Sequence, residues 1–270
     1  MYNLLKGKKG IIFGALNEQS IAWKTAKACY NEGAELVLTN APIALRMGEI
    51  NKLSKECNDA PVIPADVVNM DDLKKLFQES IKHFGGGIDF ILHSIGMSLN
   101  MRKGKHYTEI DYNYNQKTLD ISAMSLHRVL RTAWDMDALN ESASVVALTY
   151  IAAQRVFPDY NEMADAKALL ESVTRSFGYY YGTRKKVRIN TVSQSPTKTT
   201  AGSGVKGFDG FMNYAEKMSP LGNASAEDCA NYCTLLFSDY AKMVTMQNLY
   251  HDGGFSFTGV TPQVIEQMEK

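Results

Sequence analysis

The sequence predicts an α/β protein built on a doubly wound parallel sheet within a single domain. Three observations carry that expectation. Strand-like and helix-like stretches alternate almost from end to end, as in βα units whose crossovers keep the strands parallel. The first unit is a strand, a glycine turn and a helix. The residues with chemical potential fall at the carboxyl ends of the expected strands, where such a sheet places its ligand crevice.

Residues 8–13 form an apolar run of strand length that enters the turn Gly14-Ala15-Leu16-Asn17-Glu18-Gln19-Ser20, and a helix follows to about residue 31. Residues 35–39 give a second strand ending at Asn40, 43–57 a helix, 61–64 a third strand before Asp66 and Val67, and 70–84 a helix stopped by Gly85-Gly86-Gly87. A fourth strand at 88–93 ends at Ser94-Ile95-Gly96, and a long helical region covers about 107–139. A fifth strand at 145–150 ends in Tyr150, and a sixth at 187–192 leads to Ser195-Pro196-Thr197. A helix over 226–237 and a last strand at 247–251 before Asp252-Gly253-Gly254 complete the alternation. No linker or charge run divides the 270 residues, so 1–270 reads as one domain with one large core.

Basic and acidic residues balance at 29 each, which removes any overall electrostatic case for nucleic acid or an anionic membrane surface and points to a small-molecule partner. Cys29, Cys57, Cys229 and Cys233 form no CxxC pair, and the last two lie one helical turn apart in an apolar pattern. Residues 1–13 lack an apolar leader with a cleavage site, and no apolar run reaches ~18 residues. A soluble cytoplasmic protein with no membrane contact is expected.

The most informative stretch lies between the fifth and sixth strands. Tyr150 is followed by a short loop, then by Tyr160, and Lys167 comes seven positions later. Asp159 and Glu162 have capping-box spacing, so a helix is expected over 159–181 with Tyr160 in its first turn. At ~3.6 residues per turn that spacing puts Tyr160 and Lys167 on one face, within reach of one ligand. A phenol there can donate a hydrogen bond or proton to a developing oxyanion, and the neighbouring ammonium is expected to lower the phenol's pKa. Taken alone, a tyrosine and a lysine one helical face apart are usually packing plus a solvated tip, and the surrounding motifs bear on which reading holds.

Gly14 stands where a close backbone approach to a pyrophosphate needs glycine, ahead of a helix whose first N–H groups are free, although the other glycines of G-x-G-x-x-G are missing. Ser20 can cap that helix or donate to phosphate. Asn40 occupies the position facing an adenosine ribose; its amide suits a free 2′-OH, and no cation precedes Arg46, which favours NADH over NADPH. Asp66 can accept from an adenine amino group or form the turn before the next helix. His83, His93, His106, His127 and His251 lack metal-ligand spacing, and no metal site is expected. The segment 196–220 carries Gly202, Gly204, Gly207 and Gly210 among Val205, Phe208, Phe211, Met212 and Tyr214. It reads as a lid, about 197–220, with an apolar underside over a greasy substrate.

Assembled, these pieces resemble the NADH-dependent enoyl-acyl carrier protein reductases of bacterial type II fatty acid synthesis, a divergent branch of the short-chain dehydrogenase/reductase superfamily with a Rossmann-like fold. The likeness rests on Gly14 with Ser20-Ile21-Ala22, Asp66-Val67, His93-Ser94-Ile95-Gly96, Tyr150, Tyr160 with Lys167, Asn190, Pro196 with Thr199 and Gly202, and His251-Asp252-Gly253-Gly254-Phe255-Ser256. Ordinary members of the superfamily space tyrosine and lysine more closely and place a catalytic serine upstream. Here six residues intervene, the serine's position holds Ala147, and Ser94-Ile95-Gly96 replaces an Asn-Ala-Gly turn.

The resemblance implies reduction of the trans-2 double bond of an enoyl thioester borne on acyl carrier protein, the last step of an elongation cycle. NADH gives a hydride to the β-carbon and the charge passes to the thioester oxygen as an enolate. The implied catalytic residues are Tyr160, meeting that oxygen, Lys167, holding the nicotinamide ribose, and Tyr150, orienting the thioester. Implied cofactor contacts are Gly14, Ser20, Ile21, Asn40, Asp66, Val67, Ser94, Ile95, Gly96, Lys167, Thr197 and Thr199. Implied substrate contacts are Ser98, Tyr150, Tyr160, Phe208 and Phe211, and the implied assembly is a homotetramer. A ketoacyl reductase of the same fold would need the absent serine and spacing; a non-enzymatic dinucleotide sensor would need neither Tyr160 nor Lys167.

Overall fold

The structure, a computed structural model, describes residues 2–199 and 208–269, apart from the side chains of Asp159 and Phe208. Its strands are β1 (Lys9–Phe13), β2 (Glu35–Thr39), β3 (Ile88–His93), β4 (Leu139–Thr149), β5 (Arg188–Gln194) and β6 (Asn248–His251). They form one sheet in the order β2-β1-β3-β4-β5-β6, and every pair is parallel. The expected doubly wound sheet is therefore present, and its order reverses between β1 and β3, where a crevice opens beyond the strand ends.

Alternation along each strand sends neighbours into opposite layers. Ile11 and Phe13 join a core with Ile91, Val145 and Ile189 under α4 (Met70–Phe84), α7 (Ser125–Asp135) and α8 (Met163–Lys185). Ile12 joins Leu36, Leu38, Leu92, Val146 and Val192 under α1 (Ile21–Asn31), α3 (Ile50–Glu56) and α10 (Ala226–Phe237). All four cysteines are free and buried, which the apolar pattern implied for Cys229 and Cys233.

The elements depart from expectation where local chemistry intervenes. Residues 61–64 make only a bridge, Leu38 to Val62, because Pro61 and Pro64 lack the N–H that a ladder needs. The helix expected over 43–57 breaks into α2 (Pro42–Met47) and α3 at Gly48. There the Glu49 N–H donates to the Leu16 carbonyl at 2.8 Å instead of continuing the helix. The region 107–139 becomes a 3₁₀ turn (Tyr107–Glu109), α6 (Tyr112–Leu119), a π-helical turn (Asp120–Met124) and α7. It ends early because Asp137, at φ 51°, turns the chain into β4. The short helices α5 (Leu99–Arg102), α9 (Phe208–Met218) and α11 (Pro262–Met268) flank the crevice or close the chain.

The helix expected from residue 159 begins at Met163. Tyr160 instead ends a 3₁₀ turn, Pro158–Tyr160, and Asn161 follows at φ 52°, a conformation asparagine tolerates. Glu162 occupies the N-cap without a side-chain cap bond, so the capping box does not form at this helix.

Candidate active site

The strand ends and the loops beyond them enclose a cavity of about 730 Å³. Among the expected site residues its walls include Gly14, Ser20, Ile21, Asn40, Asp66, Val67, Ser94, Ile95, Gly96, Ser98, Tyr150, Tyr160, Lys167, Thr197, Thr199 and Phe211. Phe208 starts α9, but its side chain lies outside the described residues, as do Gly202, Gly204, Val205 and Gly207. Among the described residues no group of histidine, cysteine or carboxylate side chains could hold a metal ion.

One end of the cavity is made of backbone. Gly14 ends β1 at φ 94°, and a Cβ there would overlap the Ser94 carbonyl, so the two loops close up only because the side chain is missing. Ser20 is the N-cap of α1 but makes no capping bond; its hydroxyl donates to the Asn17 carbonyl at 2.7 Å. The first amides of α1 are therefore left uncapped by a side chain at the cavity wall, a ready anion site. Asn40 spends part of its amide on the fold, donating to the Ala15 carbonyl at 2.9 Å and accepting from the Ala41 amide at 2.9 Å. Asp66 lines the cavity and takes the turn-forming role, accepting from the Val68 amide at 3.1 Å. The cations lining the cavity among the described residues are Arg102 and Lys167; Arg46 does not line it.

The other end is made of side chains. Tyr150 sits 5.0 Å from Tyr160, 5.5 Å from Phe157 and 6.3 Å from Phe211, measured between ring centroids. Ala215 and Met218 of α9 and Phe255 complete this apolar cluster, so the underside of α9 is as greasy as its sequence suggests. The Tyr150 hydroxyl is buried without a hydrogen-bond partner among the described residues. A ligand oxygen or nitrogen in the cavity would satisfy it.

Lys167, one turn into α8, joins the two ends. It is buried, and its ammonium donates to the Leu148 carbonyl at 2.8 Å at the tip of β4. Burial lowers its pKa to about 8, against the pull of Glu171 one turn on. The ammonium does not depress the phenol as the spacing suggested: burial alone pushes the Tyr160 pKa well above its ordinary value. Tyr150 is pushed up too, by burial and then by Tyr160 and Asp252. Tyr160 is thus a neutral phenol, a donor rather than a phenolate. His93, buried behind the site with Nε2 2.8 Å from the Ser125 hydroxyl, is held near pKa 3 by burial and by Lys167, so it stays uncharged.

Sequence reasoning missed several groups here. Glu162 is fully buried; its Oε1 accepts from the hydroxyls of Ser98 at 2.6 Å and Thr118 at 3.0 Å. Its Oε2 has no partner among the described residues. The π-helical turn sets Ser122 against the loop after β3, where its hydroxyl accepts from the Met97 amide at 2.9 Å. Gln194 fastens the β5 end by donating to the Ala224 carbonyl at 3.0 Å and facing His251 Nδ1 at 2.7 Å. The strand-end rule could have flagged Gln194; nothing in the local sequence marks Glu162 or Ser122.

Residues 14–256 match the family described as enoyl-(acyl carrier protein) reductase. An NADH-dependent enoyl-[acyl-carrier-protein] reductase of Rhizobium meliloti is 33% identical over 262 residues, 96% of each chain. The FabI–NADH complex from Alistipes finegoldii superposes with a TM-score of 0.95 at 62% identity, covering 96% of this chain and 92% of that one. The NADH-dependent enoyl-[acyl-carrier-protein] reductase of Aquifex aeolicus superposes with a TM-score of 0.88 at 31% identity, covering 96% of this chain and 100% of that one.

Proposed function

The chain belongs to the enoyl-(acyl carrier protein) reductase family, and from that premise we propose how its own residues carry the reaction. The protein is an NADH-dependent oxidoreductase that saturates the trans-2 double bond of enoyl thioesters in fatty acid synthesis. The observation that carries the residue assignment is the convergence of a neutral phenol, Tyr160, and a buried ammonium, Lys167, on one largely apolar cavity.

The residues present fit a dinucleotide. The Gly14 cradle and the uncapped start of α1 at Ser20 and Ile21 suit the pyrophosphate. Asn40 keeps amide capacity for a ribose hydroxyl, and Asp66 and Val67, which line the same cavity, would border the adenine. Ser94, Ile95, Gly96, Thr197 and Thr199 would flank the nicotinamide half, with Lys167 on its ribose. Bound there, NADH would supply the hydride to the β-carbon of the enoyl thioester, and a proton taken up from solvent at the α-carbon completes saturation.

As charge moves onto the thioester oxygen, Tyr160 donates its O–H to it and remains a phenol, because burial makes a phenolate costly. Lys167 keeps the surrounding potential positive, and donors preorganised in this way are worth about 3 kcal/mol each. Tyr150 offers its hydroxyl, without a partner among the described residues, to orient the thioester, while Ser98 and Phe211 border the acyl chain; the Phe208 side chain, also expected there, lies outside the described residues. Of the expected lid, about 197–220, the described helix α9 turns Phe211, Ala215 and Met218 toward that chain, and residues 200–207 lie outside the described residues.

The substrate is carried on acyl carrier protein, and the chain assembles as a homotetramer; exposed tyrosines such as Tyr179 and Tyr180 on α8 offer apolar surface for such contacts. We place the activity in the cytoplasm, where free thiols like its four cysteines are the rule. Among the described residues no helix is long and apolar enough to cross a membrane. The test is NADH oxidation, followed by absorbance, on adding crotonyl or longer enoyl thioesters. Turnover supports the reading; turnover of 3-ketoacyl thioesters in place of enoyl thioesters would reject it.

A further inference from the structure

The segment from Ser98 to Lys105 forms a basic strap along one rim of the cavity. Ser98, Met101 and Arg102 line the cavity, and Arg102 is also exposed, which places it at the mouth. Lys103 and Lys105 are exposed beside it, with Gly104 at φ 63° turning the chain between them. No carboxylate occurs between residues 90 and 108. Among the described residues none of these three cations joins an ion pair. Lys103 is held by the Tyr114 hydroxyl at 2.6 Å, with its ammonium 4.5 Å from the ring centre.

The strap is pinned to the turn that carries Tyr160. The Ser98 hydroxyl donates to Glu162 at 2.6 Å, and the Asn161 amide donates to the Lys105 carbonyl at 2.6 Å. Helix α9, whose Phe211 lines the cavity, carries Asp209, Glu216 and Lys217, none of which lines it. Three cations close together in the chain and outside any ion pair among the described residues repel one another, and an anion seated among them lowers that repulsion. Arg102 can grip two oxygens of such an anion, while the lysines act as point charges.

The geometry points to the strap as the docking site for the phosphodiester of the substrate's pantetheine arm. This assignment rests on the reductase reading. The acyl chain is apolar and the arm's amides are neutral, so the phosphodiester is the arm's one charge. It remains at the mouth while the thioester sits against Tyr160. The chemistry identifies the ligand as a phosphate ester on a neutral thioester chain, and the strap's attachment to the Tyr160 turn keeps anion and reacting oxygen in fixed register.

The experiment compares the wild type with the K103E/K105E double variant on three enoyl thioesters of one chain length. These are the carrier-protein form, the coenzyme A form and the pantetheine form, which lacks phosphate. The expected result is a loss of about tenfold or more in kcat/KM for both phosphate-bearing substrates, mostly in KM and shrinking as salt is raised, with the pantetheine thioester changed less than about twofold. Equal loss on all three substrates, loss on the carrier-protein form alone, or no loss on any would each overturn the assignment. Failure of the reductase reading itself is distinct, since the wild type would then turn over none of the three.

Discussion

The two ends of the cavity are built from different materials. At the end proposed for the nucleotide, shape comes mostly from main chain: a glycine pressed against the Ser94 carbonyl and a helix start without a side-chain cap, with one asparagine side chain tying the end of β2 to the first turn. At the substrate end, shape comes from side chains: the Tyr150, Phe157, Phe211 and Phe255 cluster, a 3₁₀ turn followed by a left-handed asparagine, and a buried carboxylate bonded to two hydroxyls. A backbone site tolerates little change in volume but holds few groups that titrate. A side-chain site depends on which groups are charged, and burial decides that.

Lys167 spans both ends, so its removal should have the largest effect. Lys167→Ala is expected to lower kcat/KM about 10³-fold, since the roles proposed for its ammonium, near the oxyanion and on the cofactor, are both lost. In the wild type, kcat/KM should fall as pH rises through about 8, where this ammonium deprotonates. Stability should run the other way. The folded pKa lies below the ordinary 10.5, so the unfolded chain binds the proton more tightly, and folding gains between about 8 and 10.5 as pH rises. Activity and urea unfolding measured across that window would show the opposed trends; parallel trends would break the picture.

A methyl group at the nucleotide end comes next. Gly14→Ala meets both the left-handed backbone and the Ser94 carbonyl, at a cost of about 1–3 kcal/mol for the strain alone. The expected outcome is NADH affinity about tenfold weaker or worse by titration, with kcat at saturating NADH much less affected. At the substrate end, Glu162→Ala removes the acceptor of the Ser98 and Thr118 hydroxyls, costing about 1–3 kcal/mol. Glu162→Gln keeps an acceptor oxygen and should recover most of the melting temperature and of KM for the thioester. Equal damage from both replacements would show that the carboxylate's charge, not its acceptor geometry, matters there.

The same contrast governs how much was legible in the sequence. Helices α4 and α10 begin and end where their residues indicate, because their caps are local: Asn69 accepts from the Asp71 and Asp72 amides, Gly85 adopts φ 63°, and Ser225 forms a capping box with Asp228. That Gly14, Ser20, Asn40 and Asp66 gather at one end of the cavity could be read from the sequence, because they fall at or just beyond strand ends. The substrate end was less open to reading. Asp159 and Glu162 have the spacing of a helix cap, yet tertiary contacts draw Glu162 inward to Ser98 and Thr118 and leave the helix to start at Met163. Sequence spacing also set an ammonium near a phenol, but the pKa of Tyr160 follows its burial, which only the packed fold reveals.

The central claim is that Tyr160 works as a neutral donor to the enolate oxygen. Its most direct measurement is the turnover of Tyr160→Phe at saturating NADH and enoyl thioester, alongside NADH affinity and melting temperature. A fall of about 10²-fold in kcat, with affinity and melting temperature kept, is the predicted result. An unchanged kcat would contradict the account.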